Sequence, residues 1–391
     1  MNNKFNKNNW KKVSLSEVCK KTEFKETKPL EKGIYRFLKV SHLEAENLNI
    51  SNWADMREEE LPPTFYKRFI PGQVLFPTRN PHLRRAVYAN FEGICGEKTL
   101  TLSPDKNIIN PKLFPFLFHS DSFVNHCIGF IVGSTNPHVR WRDIAKYEFL
   151  LPPLEEQEKL ADLLWTGDIV NNKYDFFKSK LQMEFTTVLN RLIPKPNNYE
   201  KIGKRIEIQK GLTYRSSDYS DKANGIPMVN LKCFKKYGGF SKNGVKYFNG
   251  KFSEKHKLNK DDLIIALTDI TREGAVVGFP IFTPELGENV VFTMDVAKLK
   301  ILDKIIDPKY LYYLLRSHWA HWHMFAHACG TTVLHLDLKA IQKLLFPKIS
   351  IDDQKSIVQK LEIIEKSLDE NTQTIKKLKL LNKTLTNQLF E

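Results

Sequence analysis

The sequence has few cysteines and no spacing that pairs them. Its 391 residues include 5 cysteines, an odd number without a Cys-x-x-Cys motif. This composition favours reduced thiols and argues against a zinc ribbon or a disulfide framework. No run of about 18 apolar residues could span a bilayer, and the polar first nine residues lack the apolar core of a signal peptide. We therefore expect a soluble, cytoplasmic protein.

Motifs for nucleotide chemistry are also missing. No Gly-x-x-x-x-Gly-Lys-[Ser/Thr] loop occurs, which argues against nucleotide hydrolysis by this chain. Asn80-Pro-His and Asn136-Pro-His resemble the start of the Asn-Pro-Pro-aromatic motif of amino-methyltransferases. Both lack the second proline and the aromatic residue, and no glycine-rich cofactor loop precedes them. The sequence therefore predicts no catalytic residue and no cofactor-binding residue.

Potential metal ligands are concentrated in residues 318–329, which hold four histidines and one cysteine. His323 and His327 are one helical turn apart, so zinc binding is one interpretation. The corresponding residues 119–126 of the first half contain few such ligands, although a metal required by the architecture would occur in both halves. We favour an aromatic-rich helix that packs on its sheet and binds no metal.

Acidic residues are outnumbered by basic ones, 45 to 60, which gives a formal net charge of +15. The excess is uneven, because residues 154–193 carry five basic and seven acidic side chains and residues 351–391 carry seven of each. The positive charge therefore belongs to the remaining segments and indicates a polyanionic partner there. A solvated basic surface that binds no nucleic acid is the alternative.

Two long helices are predicted, in the middle and at the end of the sequence, each about 60 Å long. Apolar residues recur in them at steps of three and four, as in coiled coils, and form a stripe along each helix that we call its seam. The first seam comprises Leu160, Leu163, Gly167, Val170, Tyr174, Phe177, Leu181, Phe185, Val188 and Leu192. The second comprises Leu361, Ile364, Leu368, Asn371, Ile375, Leu378, Asn382, Leu385 and Leu389. We expect the helices to pair, with Asn371 and Asn382 either setting their register or facing solvent.

The ends of the two halves repeat each other without gaps at an offset of 197 residues. Identical residues at this offset include Gly133 and Gly330, Thr135 and Thr332, Phe149 and Phe346, and Gln157 and Gln354. The sequence therefore predicts an internal duplication. The predicted fold class is α+β, with globular α/β domains at 1–150 and 196–348 and helical spacers at 151–195 and 349–391.

Polar loops in each half are the candidate nucleic-acid contacts. Arginine suits guanine and asparagine suits adenine in the major groove, while hydroxyl side chains hold phosphates; the same residue types are common in any exposed loop. The candidates in the first half are Arg79, Asn80, His82, Arg84, Arg85, Asn136, His138, Arg140 and Arg142. Those in the second half are Tyr214, Arg215, Ser216, Thr268, Asp269, Thr271, Arg272, Thr331, Thr332 and His335.

One motif resembles a known family. Pro152-Pro-Leu-Glu-Glu-Gln-Glu-Lys-Leu160, after Gly133-Ser-Thr135 and at the start of a long helix, is similar to the central conserved region of type I restriction–modification specificity subunits. Ile351-Asp-Asp-Gln-Lys355 resembles a second copy without the two prolines. The resemblance covers nearly the whole chain. It implies two target recognition domains that each read half of a split DNA sequence, separated by an antiparallel coiled coil.

The resemblance also implies partners. Two modification (methyltransferase) subunits would dock and supply S-adenosylmethionine, and restriction subunits would add ATP- and Mg-dependent translocation and cleavage. This chain would then hold no cofactor, no metal and no active site of its own. Three alternatives remain open: a specificity subunit for a combined restriction–methylation polypeptide, a self-contained DNA-modifying enzyme, and a coiled-coil scaffold with no DNA role.

Overall fold

The computed structural model describes residues 5–271 and 273–391. Its contacts divide the chain into two units, one comprising residues up to Phe177 together with Asn371–Glu391 and the other comprising Lys178–Glu370. Two long helices contribute to both units: the central helix, Leu154–Leu192, and the C-terminal helix, Ile351–Phe390. Because the units share each helix, they do not test the predicted domain boundaries.

In residues 5–177 and 371–391, the first unit contains three sheets and four short helices in addition to its parts of the two long helices. Lys11–Ser14 pairs with Glu148–Leu151. A four-stranded sheet has the order Cys19–Lys21, Thr99–Pro104, Val74–Pro77 and Val87–Tyr88, and a five-stranded sheet has the order Phe24–Lys25, Phe65–Phe69, Gly93–Gly96, Arg36–Leu38 and Ala54–Asp55. The helices are Leu15–Val18, Phe114–Leu117, Asp121–Gly129 and Trp141–Ile144.

The second unit repeats this plan and adds a small sheet. Tyr199–Lys201 pairs with Leu345–Pro347. A four-stranded sheet has the order Ile206–Lys210, Val296–Ile301, Leu263–Ala266 and Pro280–Phe282, and a five-stranded sheet has the order Tyr219–Ser220, Lys246–Phe248, Ile226–Val229, Val290–Phe292 and Lys257–Leu258. The additional sheet has the order Thr268–Asp269, Leu334–Leu336 and Ala328–Cys329, and the helices are Pro308–Arg316, His318–Ala326 and Leu338–Lys343. The predicted internal duplication is confirmed.

A buried glutamine joins each long helix to its unit. The side-chain amide of Gln157 donates to the carbonyl oxygens of Pro152 and Ile108 at 2.8 and 3.1 Å, and its oxygen accepts from the N–H of Asn110 at 2.7 Å. Gln354 repeats all three hydrogen bonds at positions 197 residues later. Each glutamine forms hydrogen bonds with polar groups of a loop that burial would otherwise leave unpaired. The glutamine therefore fixes the residue at which its helix begins and the face of the helix that is buried.

The last turn of each long helix also anchors a domain. In the first unit, Asn387 of the C-terminal helix accepts a hydrogen bond of 2.8 Å from the N–H of Asp121, which begins a helix. In the second unit, Asn190 of the central helix accepts an equivalent bond of 2.7 Å from the N–H of His318. Both asparagines satisfy a helix N-terminus that lacks an intrahelical partner. Each domain is therefore closed by the helix that does not follow it in sequence.

The long helices run antiparallel within the first unit, because Asn382 lies against Gly167 and Lys379 forms an ion pair of 2.7 Å with Asp175. The seam predicted for the C-terminal helix is confirmed by its buried members, which include Leu361, Leu368, Ile375 and Leu389. Asn371 is buried with them instead of facing solvent.

The seam predicted for the first part of the central helix is wrong by a rotation of about one residue. Leu163, Tyr174 and Phe177 are 50, 36 and 54 % exposed, whereas Ala161 and Leu164 are buried in the core of the first unit. The buried glutamine near the start of this helix sets its rotation. Leu163, Tyr174 and Phe177 of the heptad are therefore left on the surface of this part of the helix.

Candidate nucleic-acid interface

The two candidate loops of the first unit, residues 79–85 and 136–142, lie side by side. A backbone bridge pairs Arg79 of one loop with His138 of the other. Next to it, the N–H of Val139 donates a hydrogen bond of 3.0 Å to the carbonyl oxygen of the residue before Arg79. Two segments far apart in sequence thus form one polar edge, which we call the first loop pair.

The second unit builds the same arrangement from residues 268–272 and 331–335, the second loop pair. Thr268 pairs with His335 in an antiparallel ladder. The N–H of Leu336 donates a hydrogen bond of 2.8 Å to the carbonyl oxygen of the residue before Thr268. The histidine and the bonded N–H both lie 197 positions after their counterparts. The duplication therefore extends from the sheets to the loops that were predicted to bind nucleic acid.

Most of the candidate side chains are exposed and can reach a partner. Their polar groups include guanidinium, amide, imidazole and hydroxyl groups, which suit both phosphates and base edges. The exposed candidates are Arg79, Asn80, His82, Asn136, Arg140, Arg142, Arg215, Ser216, Thr331, Thr332 and His335. His138 and Thr271 are half-buried.

Two arginines of the first loop pair are turned into the protein. The guanidinium of Arg84 donates to the carbonyl oxygen of His119 and to the carboxylate of Asp121, and its side chain is only 11 % exposed. Arg85 has a buried Nε without a hydrogen-bond partner among the described residues. The partners of Arg84 indicate that it stabilises the loop.

Asp269 shapes the second loop pair from inside. Its buried carboxylate accepts hydrogen bonds from the backbone N–H groups of Thr271, Val276 and Val277 at 2.7, 2.6 and 2.9 Å. Thr268 is buried as well. These contacts hold the loop in one conformation, while the predicted contact Arg272 lies outside the described residues.

Tyr214 is half-buried at the third candidate segment. Its hydroxyl accepts a hydrogen bond of 2.8 Å from the hydroxyl of Tyr219. The neighbouring Tyr219 hydroxyl, together with partial burial, raises the pKa of Tyr214 to about 12. The neutral phenol is therefore the form present at physiological pH.

Sequence reasoning missed an apolar residue in the second loop pair. Ile270 is 73 % exposed between the buried Asp269 and the half-buried Thr271. It also missed Arg36, whose guanidinium lies over the rings of Trp53 and Phe91 at 4.6 and 4.9 Å. The only signal for Ile270 was one isoleucine within a polar loop, and the aromatic residues around Arg36 are distant in sequence.

The histidine-rich segment forms the helix His318–Ala326 and its exit. Three of its imidazoles bond to backbone carbonyl oxygens: His321 to Gly274, His323 to Ala340 and His327 to His323. Over the ranges 5–271 and 273–391, no three His, Cys, Asp or Glu side chains come together as a set that could hold a metal ion. Burial of Ala320 and Met324 agrees with the predicted packing helix.

None of the helices in the described part of the chain combines the length and the apolar character needed to cross a membrane.

Comparison with known proteins gives one family. A family model described as the type I restriction modification DNA specificity domain matches twice, at residues 7–173 and 194–380. A structure from work on complex assembly and conformational transition of the type I R-M system is similar at a TM-score of 0.59, with 19% identity over 98% of this chain and 97% of that chain. The S subunit of a type I restriction-modification system from M. genitalium gives 0.57, with 15% identity over 100% and 97%. At these identities the likeness shows the fold. No curated sequence matches.

Proposed function

The chain belongs to the type I restriction–modification DNA specificity family, and we propose that it selects the DNA sequence for such a complex. The observation that carries this proposal is the pair of equivalent loop edges, Arg79 with His138 and Thr268 with His335. Two copies of one recognition edge in one chain fit a target with two specified halves. We therefore propose that each loop pair reads one half of a bipartite sequence.

The exposed side chains of the first loop pair support DNA as the ligand. Arg79 and Asn80 project from consecutive positions, and Asn80 has a left-handed backbone with φ of 51°. Guanidinium and amide groups are those that bind guanine and adenine edges in the major groove. Arg140 and Arg142 each have a partner in Asp143, at 2.8 and 3.7 Å. We assign them to the phosphate backbone, where charge matters more than geometry.

We propose that the two long helices set the distance between the two half-sites. The helices contain 39 and 40 residues, and each would span roughly 60 Å at about 1.5 Å per residue. One DNA turn is roughly 34 Å, so the helices are long enough to separate two recognition edges by about a turn. The low net charge of both helical segments makes them poor DNA contacts and better spacers.

The helices also provide the surface on which we propose that modification subunits dock. Leu163, Tyr174 and Phe177 of the central helix and Leu380 and Leu381 of the C-terminal helix are between 36 and 66 % exposed. Large exposed apolar side chains on a regular helix are typical of protein interfaces.

The proposed partners supply S-adenosylmethionine, ATP and Mg, and restriction subunits carry out cleavage. We place this activity in the cytoplasm, where the DNA is. This chain then contributes specificity and no catalysis.

The decisive experiment is to map methylated adenines across the genome of cells that express this chain with its modification subunit. We expect a bipartite motif with two fixed halves and a fixed unspecified gap. A variant with Arg79→Ala should alter one half of the motif and leave the other half and the gap unchanged. Methylation by this chain without a modification subunit would instead identify a self-contained enzyme. The absence of any bipartite motif would contradict the proposal.

A further inference from the structure

The first unit contains a cleft of about 440 Å³ between its domain and both long helices. The loop Glu44–Leu48 forms one wall, and His119 and Phe116 form another. Asp168 of the central helix and Asn382 of the C-terminal helix also line the cleft. The volume lies within the roughly 300–1,000 Å³ of ligand-sized pockets.

The duplication shows what fills the corresponding place in the second unit. At the offset of 197, smaller side chains in the first unit correspond to larger ones in the second. The pairs are His119 and Arg316, Phe116 and Tyr313, Asp168 and Glu365, and Asn382 and Phe185. The cleft is therefore a place where one copy of the repeat carries less side-chain volume than the other.

In the second unit, Arg316 occupies this place. Its guanidinium forms an ion pair of 2.6 Å with Glu365 and donates to the hydroxyl of Tyr312 at 2.7 Å. It also lies over the rings of Phe185 and Tyr312, at 4.9 and 4.8 Å. A partly desolvated guanidinium is stabilised by such an ion pair with a carboxylate and by contact with the faces of aromatic rings.

The first unit keeps the acidic side of this arrangement, but the arginine that lines the cleft, Arg84, is paired with Asp121 and not with Asp168. In the described part of the chain, the donors to Asp168 are the side-chain amides of Asn49 and Asn172, at 2.6 and 3.0 Å, and burial raises the pKa of its carboxyl. Asn171, which also lines the cleft, is only 7 % exposed, and its Oδ1 has no hydrogen-bond partner within residues 5–271 and 273–391. A buried acceptor without a donor is costly, and it is what a hydrogen-bonding ligand would satisfy.

The basic residues around the cleft already have partners. Lys379 forms its ion pair with Asp175 at 2.7 Å, and Lys383 is 3.4 Å from Asp121. The guanidinium of Arg84 is also bound to Asp121. Lys379 is close enough to act electrostatically on the carboxyl of Asp168, but none of these three cations forms an ion pair with it as Arg316 does with Glu365.

We infer that this cleft receives the guanidinium of an arginine side chain from a docked modification subunit. The inference rests on the proposed function, which provides that partner. A protein is favoured over a free cation because Leu380, which is 66 % exposed, lines the same cleft and would be covered by a partner. Since Arg316 already fills the equivalent place, the two units bind their modification subunits unequally, and the first makes an additional charged contact.

The first test removes the charge of the cleft and keeps its shape. Asp168→Asn in the full chain should weaken binding of the modification subunit to the first site at least tenfold, measured by calorimetry as two sites of unequal affinity. Asp162→Asn is the matched control, because Asp162 is on the same helix, is 65 % exposed, and lies 4.0 Å from Lys112 outside the cleft. We expect the control to bind like wild type. Equal binding by both variants would overturn the inference.

The second test supplies the guanidinium from a side chain of this protein itself. His119→Arg places an arginine at the position equivalent to Arg316, where it can pair with Asp168. We expect the melting temperature to be maintained or raised while binding to the first site falls at least tenfold. Undiminished binding would count against the inference, and if this variant fails to fold, the Asp168→Asn result decides. If wild type binds no modification subunit, the proposed function itself fails.

Discussion

At the scale of single residues, identical side-chain types serve opposite purposes within one loop. Arg79 and Arg84 are five positions apart, yet one is exposed and the other is bound to a carbonyl oxygen and to Asp121. The difference arises from a carboxylate that is distant in sequence, so composition and spacing alone could not predict it. Asp269 is a second example of a predicted contact residue that is turned inward, because its buried carboxylate binds backbone N–H groups. The sequence located the loops but could not tell which members face outward.

The two arginines give a direct prediction. Arg79→Ala should weaken binding to the cognate duplex about tenfold or more, as expected when an arginine contact to guanine is lost. Arg84→Met should instead lower the free energy of unfolding by about 2 kcal/mol, because it removes the donor to the carbonyl oxygen of His119 and one of the partners of the Asp121 carboxylate. Fluorescence anisotropy and urea unfolding measure the two effects. The assignment is wrong if Arg84→Met reduces affinity for DNA without lowering stability.

His119 makes stability depend on pH. Its Nε2 bonds to the carbonyl oxygen of Ala86 at 2.8 Å, and burial lowers the pKa of the imidazole to about 4. Unfolded histidine has a pKa of about 6.5. Between these values the unfolded chain binds a proton that the folded chain does not, so stability falls as pH falls from about 6.5 to about 4. The loss is up to about 3 kcal/mol.

This dependence is measured by urea unfolding of wild type and His119→Gln at a series of pH values. The difference in free energy of unfolding between the two proteins should change across the window from pH 6.5 to 4, and in the direction that penalises wild type at low pH. A difference that is constant with pH would show that His119 does not cause the effect.

At the scale of elements, periodicity predicted the helices better than their orientation. Steps of three and four located both long helices, and the seam of the C-terminal helix is buried as expected. The same rule failed for the first part of the central helix, where Leu163 and Phe177 are exposed. Periodicity identifies an apolar stripe, but a docked partner can cover that stripe as well as the chain's own core. Rotation is decided here by the buried Gln157.

Gln157 therefore gives a prediction for this element. Gln157→Ala should lower the free energy of unfolding by about 2–3 kcal/mol, because the N–H of Asn110 and two carbonyl oxygens lose their partners in a buried place. Gln354→Ala should cost a similar amount. Gln182→Ala is the control, since Gln182 is an exposed glutamine of the same central helix, and it should change stability by less than about 0.5 kcal/mol.

Hydrogen exchange distinguishes which unit each of the two glutamine variants destabilises. Faster exchange should be confined to the first unit for Gln157→Ala and to the second for Gln354→Ala, because each glutamine bonds only within its own unit. The same exchange pattern in both variants would contradict the idea that each glutamine anchors one unit.

At the scale of the whole molecule, the duplication explains both what is equal and what differs. Sheets, buried glutamines and loop pairs recur at matching positions, so each unit contains the same set of structural features. The repeat diverges at His119 and Arg316, where one copy leaves a cleft and the other fills it. Sequence comparison of the halves showed the repeat, but the consequence of this one exchange depends on side-chain volumes that only the packed units reveal.

The last prediction concerns the helices as a spacer and follows from the proposed function. Removing seven residues from each long helix near the boundary of the units, residues 175–181 and 368–374, preserves the heptad while shortening each helix by about 10 Å. At about 3.4 Å per base pair, the unspecified gap in the methylated motif should shorten by about three base pairs while both half-sites stay the same. Deleting only one of the two segments is the control and should abolish methylation, because it shifts one helix against its antiparallel partner and mispairs their buried faces. A gap of unchanged length in the double deletion would mean that the loop pairs are positioned by something other than these helices.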